Sequence, residues 1–319
     1  MLIIVNPGAG GGASRARWKR VESVIRADIA SDASVRTVDR PCSVQCLGDP
    51  AGLHEAVQTA LAAGETDFVA AGGDGTVNRL LNVLIGAATP AQRAALRLGA
   101  IGLGSSNDFH KPLQGSRYRC GVPVRLDLAR AALRDVGMLE YSDGEHPARR
   151  HYFLVNASIG VTAEANAFFN HPDACLRGLK RMHTPTAIAY AALRTLLRYQ
   201  GLRLTVQSAG SGCRDVDLSN LAILKSPHFA GSLRFAEPAQ YANGQFSVHL
   251  FTKLSRIGLV AALYRLSRGQ AGTSTDHAWS SASVAVSSER PFAVEIDGEV
   301  VHARVARFAV QACSLRVCP

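Results

Sequence analysis

The stretch "AAGGDGTVNRLLNVL", residues 70–84, sets three glycines and an aspartate between an apolar run and an apolar-periodic one. The run "DFVAA" (67–71) predicts a short buried strand. Beyond the glycines, Val77, Leu80, Leu81 and Leu84 recur at the i, i+3, i+4, i+7 spacing of one helix face. The glycines therefore occupy a strand-to-helix junction, where unpaired N–H groups and the helix dipole favour an anion. Phosphate suits such bare backbone, because Gly72, Gly73 and Gly75 carry no Cβ to hold it off. Asp74 would repel phosphate unless a cation stood between them, so Mg²⁺ held by this carboxylate and phosphate oxygens is one reading. A tight turn with Asp74 as the helix N-cap is the other.

Outward from this junction, the first hundred residues alternate strand and helix signals. "LIIV" (2–5) predicts a strand, the loop "NPGAGGGA" (6–13) follows, and a helix with Trp18, Val21 and Ile25 inward comes next. "SVRTV" (34–38) and "GLHEAVQTALAA" (52–63) continue as strand and helix, and "LRLGAIGLG" (96–104) closes the series. Such alternation predicts a parallel sheet covered by helices, with ligands beyond the carboxyl ends of its strands. Three Gly-rich loops, 6–13, 72–75 and 102–106, leave the sheet at that edge. After "VRLDLARAAL" (124–133) the pattern changes to short alternating runs. These are 151–161, 202–208, 218–224, 244–251, 282–288, 292–298 and 307–312, with helical inserts near 185–199 and 256–267. They predict an antiparallel β domain.

Composition narrows the function classes. The 319 residues suggest about two domains, and 47% hydrophobic against 19% charged is globular. Lys+Arg 35 against Asp+Glu 25 leaves +10, which favours an anionic partner. Aromatics are 6% with no base-stacking motif, so no nucleic acid is expected. Seven scattered cysteines, with Cys42 and Cys46 close but no second pair at zinc spacing, read as reduced cytosolic thiols. "MLIIVN" lacks the features of a signal peptide, and the later apolar stretches are broken by arginine, so no transmembrane segment is expected. The cluster "RGLKRMH" (177–183) reads either as an attraction for anionic headgroups or as a solvated segment. His110, His151 and His302 have no partners at metal spacing and read as structural.

In this order, several motifs resemble the diacylglycerol kinase catalytic-domain family, the bacterial lipid kinases related to sphingosine and ceramide kinases. "IIVNPGAGGG" (3–12) is similar to its first strand and loop, and "GGDGTVN" (72–78) to its signature. "GLGSSNDFHKPL" (102–113), "RLDLA" (125–129), "VEIDGE" (294–299) and "ARFAVQACSLRVCP" (306–319) resemble its later motifs. The resemblance implies α/β plus all-β: a Rossmann-like three-layer nucleotide-binding domain over 1–124 and an antiparallel β-sandwich lipid-substrate domain over 125–304. It also implies a C-terminal segment, about 305–319, returning to the first domain, and ATP between the two. By carry-over, Asn6, Pro7, Gly8, Ala9 and Gly10 would line the nucleotide, as would Gly72, Gly73, Asp74, Gly75, Thr76, Val77, Asn78 and Ser105. Asp74, Asp108 and Asp127 would form a Mg²⁺ and water network, and Asp297 with Glu299 would activate the acceptor hydroxyl. In isolation "IDGE" reads as a hairpin turn with solvated acids. If the strand continues through Gly298 the two acids share a face; if Gly298 turns the chain, one is left in solvent.

The expected activity is transfer of the ATP γ-phosphate to a lipid hydroxyl, diacylglycerol-like or sphingoid-like, by a cytoplasmic protein peripheral to the membrane, with a homodimer as the candidate assembly. Its place would be phospholipid metabolism. Arg79, Ser105, Ser106, Thr162 and Asn243 depart from the family pattern. Two alternatives stand beside this reading: an NAD-kinase-like nucleotide kinase, and a lipid-binding or regulatory module that has lost catalysis.

Overall fold

A computed structural model of the chain describes residues 1–31, 42–113, 118–209, 212–236, 238–239, 241–270 and 276–319. The expected strand at 34–38 lies outside the described residues. The chain divides into two compact units, one of Met1–Arg134 with Cys313–Pro319, the other of Asp135–Ala312.

In the first unit the elements are β1 (Leu2–Val5), α1 (Ser14–Ser31), β2 (Ser43–Cys46), α2 (Pro50–Ala62) and β3 (Asp67–Gly72). α3 (Asp74–Ala87), α4 (Pro90–Ala95), β4 (Arg97–Gly102), β5 (Tyr118–Arg119) and β6 (Val122–Arg125) follow. β2, β1, β3 and β4 pair side by side and all parallel. Every residue of β1 and β3 is buried, as strands covered on both faces must be. The stripe Trp18, Val21, Ile25 and Ile29 of α1 packs on Ile3, Val5, Val69 and Ile101. α2 starts where Asp49 caps Gly52 N–H and Pro50 takes the first helical position. At the far end of the chain Arg316 and Val317 pair in parallel with Arg97 and Leu98. Cys318 joins the same core.

The second unit is built on β7 (Ala132–Ser142), β8 (Arg149–Phe153), β9 (Asn156–Gly160), β10 (Leu202–Ser208) and β11 (Gly212–Leu224). β12 (His228–Phe229), β13 (Leu233–Arg234), β14 (Phe246–Thr252), β15 (Asp276–Ser281), β16 (Ser283–Ile296) and β17 (Glu299–Val317) complete it. Between them lie α5 (Val161–Asn170), α6 (Ala174–Met182), α7 (Thr184–Arg198) and α8 (Arg256–Ser267). The strands pair antiparallel in the order β15–β14–β11–β10–β16–β17, with β9 bonded to both β11 and β16. In their core Phe153 stacks on Phe246 and meets Phe308 edge to face.

Three departures from the sequence reading have physical causes. The expected strand 151–161 is two strands, because the N–H groups of Leu154, Val155 and Asn156 turn to the Asp297 carboxylate. The expected strands 282–288 and 292–298 are one, β16, with an irregularity between Ser287 and Phe292 that accommodates Pro291. α5 and α6 were not anticipated: α5 leaves β9 directly through Gly160 at φ 102°, and α6 is a short helix capped by Asp173.

Candidate active site

Asn6, Gly72 and Gly102 end or follow β1, β3 and β4, so the three glycine loops emerge at the carboxyl edge of the parallel sheet. Their lacing is explicit. Asn6 donates its main-chain N–H to Ala71 O and its side-chain amide to Thr76 Oγ1 at 3.0 Å. Its Oδ1 accepts Gly8 N–H, and its main-chain oxygen accepts the Ser14 hydroxyl. Leu103 and Gly104 both donate N–H to Gly72 O. The first, second and third loops are thus one hydrogen-bonded body.

The glycines serve two ends. A Cβ on Gly104 would stand 2.4 Å from Gly73 Cα, and one on Gly72 would stand 2.2 Å from Thr76 Oγ1. Glycine is required at 104 because the second and third loops touch main chain to main chain, and at 72 because the Thr76 side chain fills the space. Gly11 and Gly12 differ: their φ values are 67° and 94°, and a Cβ would meet nothing within 4 Å. These two face open space in the left-handed region, where a Cβ is costly.

α3 begins with Gly73 as N-cap, and no side chain caps it. Asp74 is therefore the first helical residue, which corrects its reading as the cap. Asp74 Oδ1 accepts Phe109 N–H at 2.9 Å, tying the helix start to the third loop. An uncapped N-terminus with one carboxylate beside it suits an anion bridged by a hard cation. Thr76, Val77 and Asn78 are buried in the first turns of α3, and Asn82 donates to Asn78. Pro7, Ala9 and Gly10 are half-buried and Gly8 and Ser105 exposed along the same edge.

The three aspartates assigned to a metal network have separate engagements. Asp108 is buried and ion-paired with Lys111 at 2.5 Å, while Asp127 Oδ1 accepts Arg130 N–H at 3.1 Å. Among the described residues no group of three or more His, Cys, Asp or Glu is placed to hold a metal. Mg²⁺ needs no such cage, since it is usually held by one or two carboxylates with substrate phosphates and water. Oxygen donors at the phosphate-favouring edge fit that mode, with Asp74 foremost.

Two residues of this edge escaped the sequence reading. Arg17, in the first turn of α1, donates Nη1 to Leu103 O at 2.8 Å and Gly104 O at 2.5 Å. Asn107 sits at φ 50° and closes the third loop on itself through Gly104 N–H and the oxygens of Gly102 and Gly104. An asparagine inside "GLGSSND" is a left-handed-turn signal that could have found it; Arg17 had none.

In the second unit, Asp297 and Gly298 form the two-residue turn between β16 and β17, at φ 47° and 91°, with Ile296 paired to Glu299. Asp-Gly is a favoured pair for such turns. The strand therefore does not run through Gly298, yet the turn leaves neither acid in solvent, since Asp297 is buried and Glu299 half-buried. Asp297 is 5% exposed, and its oxygens accept three main-chain N–H groups: Leu154 at 2.8 Å, Val155 and Asn156 at 3.0 Å. Gly298 donates to Glu295 and accepts from Asn170. Glu299 is half-buried; burial of the neighbouring His151 imidazole holds its pKa below the ordinary value, with the Glu299 charge pulling the other way. Asp297 is thus a held carboxylate, not the solvated acid of a plain hairpin.

The chain thus holds an α/β unit whose glycine loops gather at one sheet edge and an antiparallel β unit. Two family models match the chain: the diacylglycerol kinase catalytic domain over residues 1–138, and the YegS C-terminal NAD kinase β-sandwich-like domain over residues 156–319. The chain belongs to the diacylglycerol kinase catalytic-domain family. A diacylglycerol kinase structure from Bacillus anthracis is 14% identical, with a TM-score of 0.63 over 99% of this chain and 95% of that one. A second structure from that organism is 15% identical at TM-score 0.68, covering 99% and 96%. At such identities the likeness concerns the fold. No curated protein matches the sequence. Among the described residues no helix is long and apolar enough to cross a membrane.

Proposed function

We propose that this kinase transfers the γ-phosphate of ATP to the hydroxyl of a lipid of diacylglycerol or sphingoid type at a membrane surface, with Mg²⁺. The observation that carries the nucleotide half is the uncapped start of α3 beside the open Gly11–Gly12 loop, braced by Asn6 and Thr76. The main-chain N–H groups of these loops would orient the phosphates, and Arg17 would hold the third loop in place. Asp74 would hold Mg²⁺, assisted through the Asp108 and Asp127 network, and the ion would supply charge neutralisation at the transferred group. Asp297 is the proposed base for the acceptor hydroxyl, with Glu299 supporting or sharing the role. Three main-chain N–H groups fix the orientation of this carboxylate, and a fixed orientation is what a base needs toward a bound hydroxyl. Proton removal of this kind contributes roughly 10²–10⁴-fold.

The test is a radiolabelled ATP assay of the full chain over lipid alcohols presented in detergent, with NAD as a parallel acceptor. Label in one lipid class supports the proposal, and Mg²⁺ omission should abolish it. Label in NAD alone would establish the nucleotide-kinase alternative. No label in any acceptor, with ATP still bound, would favour the regulatory module.

A further inference from the structure

α7 and α8 pack on each other through Leu196, Leu259 and Leu263, so their inner faces are accounted for. Their outer faces are not. On α7, Leu193 and Leu197 are each 54% exposed and stand four apart, on one side of the helix. On α8, Ile257, Val260 and Tyr264 recur at i, i+3, i+7 and are 82%, 50% and 61% exposed. Single exposed apolar residues are ordinary, but two neighbouring helices that each present an apolar stripe are not.

Charge says what covers this face. α6, α7 and α8 together hold seven Lys and Arg and no Asp or Glu. Arg198, Arg256 and Arg265 are exposed beside the stripes, and the Arg268 guanidinium lies 5.8 Å from the Tyr264 ring centre. Apolar residues ringed by cations, with a tyrosine at the boundary, match the interfacial layer of a bilayer carrying anionic headgroups. A second copy of the chain would set this basic face against another basic face, and the like charges disfavour it.

We propose that the outer face of α7 and α8 docks on an anionic lipid bilayer, with Leu193, Leu197, Ile257, Val260 and Tyr264 entering the interface. The proposal rests on the reading that the acceptor is a membrane lipid, and names the surface that meets the membrane. Docking needs no turnover, so the two are separable.

The experiment is flotation of the full chain with vesicles of phosphatidylcholine alone and of phosphatidylcholine with about one-third phosphatidylglycerol, at low and high salt. The wild type should bind the anionic vesicles, less so at high salt. Replacing Leu193, Leu197, Ile257 and Tyr264 together by serine should weaken binding roughly tenfold or more, with an unchanged melting temperature. Arg256→Gln with Arg265→Gln should remove much of the preference for anionic vesicles. Wild-type-like binding by the serine variant would overturn the proposal. So would a concentration-dependent dimer that the same substitutions abolish, because the face would then be a contact between copies. Turnover on detergent-dispersed lipid without vesicle binding sinks the docking surface alone; vesicle binding without turnover on any lipid sinks the kinase reading alone.

Discussion

Asp297→Asn separates two roles that this carboxylate can hold, and the structure sets the size of each. The turn itself should survive, since asparagine tolerates the φ of 47° about as well as aspartate. The clamp should not. The amide oxygen can still accept Val155 and Asn156 N–H, but the amide NH₂ then faces Leu154 N–H, which the carboxylate held at 2.8 Å. Losing one charged hydrogen bond and stranding a buried donor costs roughly 2–4 kcal/mol. For a unit of this size that lowers the melting temperature by about 4–15 °C. Turnover, measured well below both melting points, should fall by roughly 10²–10⁴ if Asp297 is also the base. Glu299→Gln is the companion, half-buried on β17 and expected within about 0.5 kcal/mol of wild-type stability. Calorimetry, ATP titration and lipid turnover on the three proteins read the outcomes. An unchanged melting temperature in Asp297→Asn would refute the clamp, and full turnover in the folded variant would refute base catalysis at this position.

Asp74→Asn should leave stability nearly unchanged, because Gly73 is the cap and an amide oxygen still accepts Phe109 N–H; kinase activity should collapse while the melting curve holds. Gly104→Ala should destabilise the first unit by about 1–3 kcal/mol and weaken ATP binding, since the new methyl falls 2.4 Å from Gly73 Cα and must push the second and third loops apart; an equal effect from Ser105→Ala, an exposed site, would contradict this. Burial holds the His151 pKa below its ordinary value, although Glu299 pulls the other way. The unfolded chain therefore takes up the proton first. The stability from a neutral His151 is complete above about pH 6.5 and is lost as pH falls from there through the lower folded-state value. Melting curves taken down that range should flatten in His151→Gln, and an identical slope in both proteins would dismiss the assignment.

The parallel sheet was legible at β1 and β3, which are short apolar runs, and at α1 and α3, which show clear stripes, so Ile3, Val69 and Val21 announce their own burial. β2, "SVQC" with its ends exposed, carries no such signal and lies outside the strand expected at 34–38. The glycine edge was legible in place but less so in cause. Gly72 and Gly104 look like phosphate-facing glycines in the sequence, yet contact with Thr76 and Gly73 explains them, while Gly11 and Gly12 face open space. What stayed hidden depends on partners far along the chain. Nothing near "IDGE" says that residues 154–156 will spend their N–H groups on Asp297, and that exchange is also why one expected strand became two. α5 and α6 were missed because a helix of about ten residues owes little to local propensity and much to what it packs on. Leu176 and Ala187 find each other only after the chain has turned at His183, between α6 and α7. A motif therefore locates an anion edge more securely than it assigns each residue's work. For Asp297 the division between holding the β8–β9 junction and accepting a proton is a matter of measured stability against measured turnover.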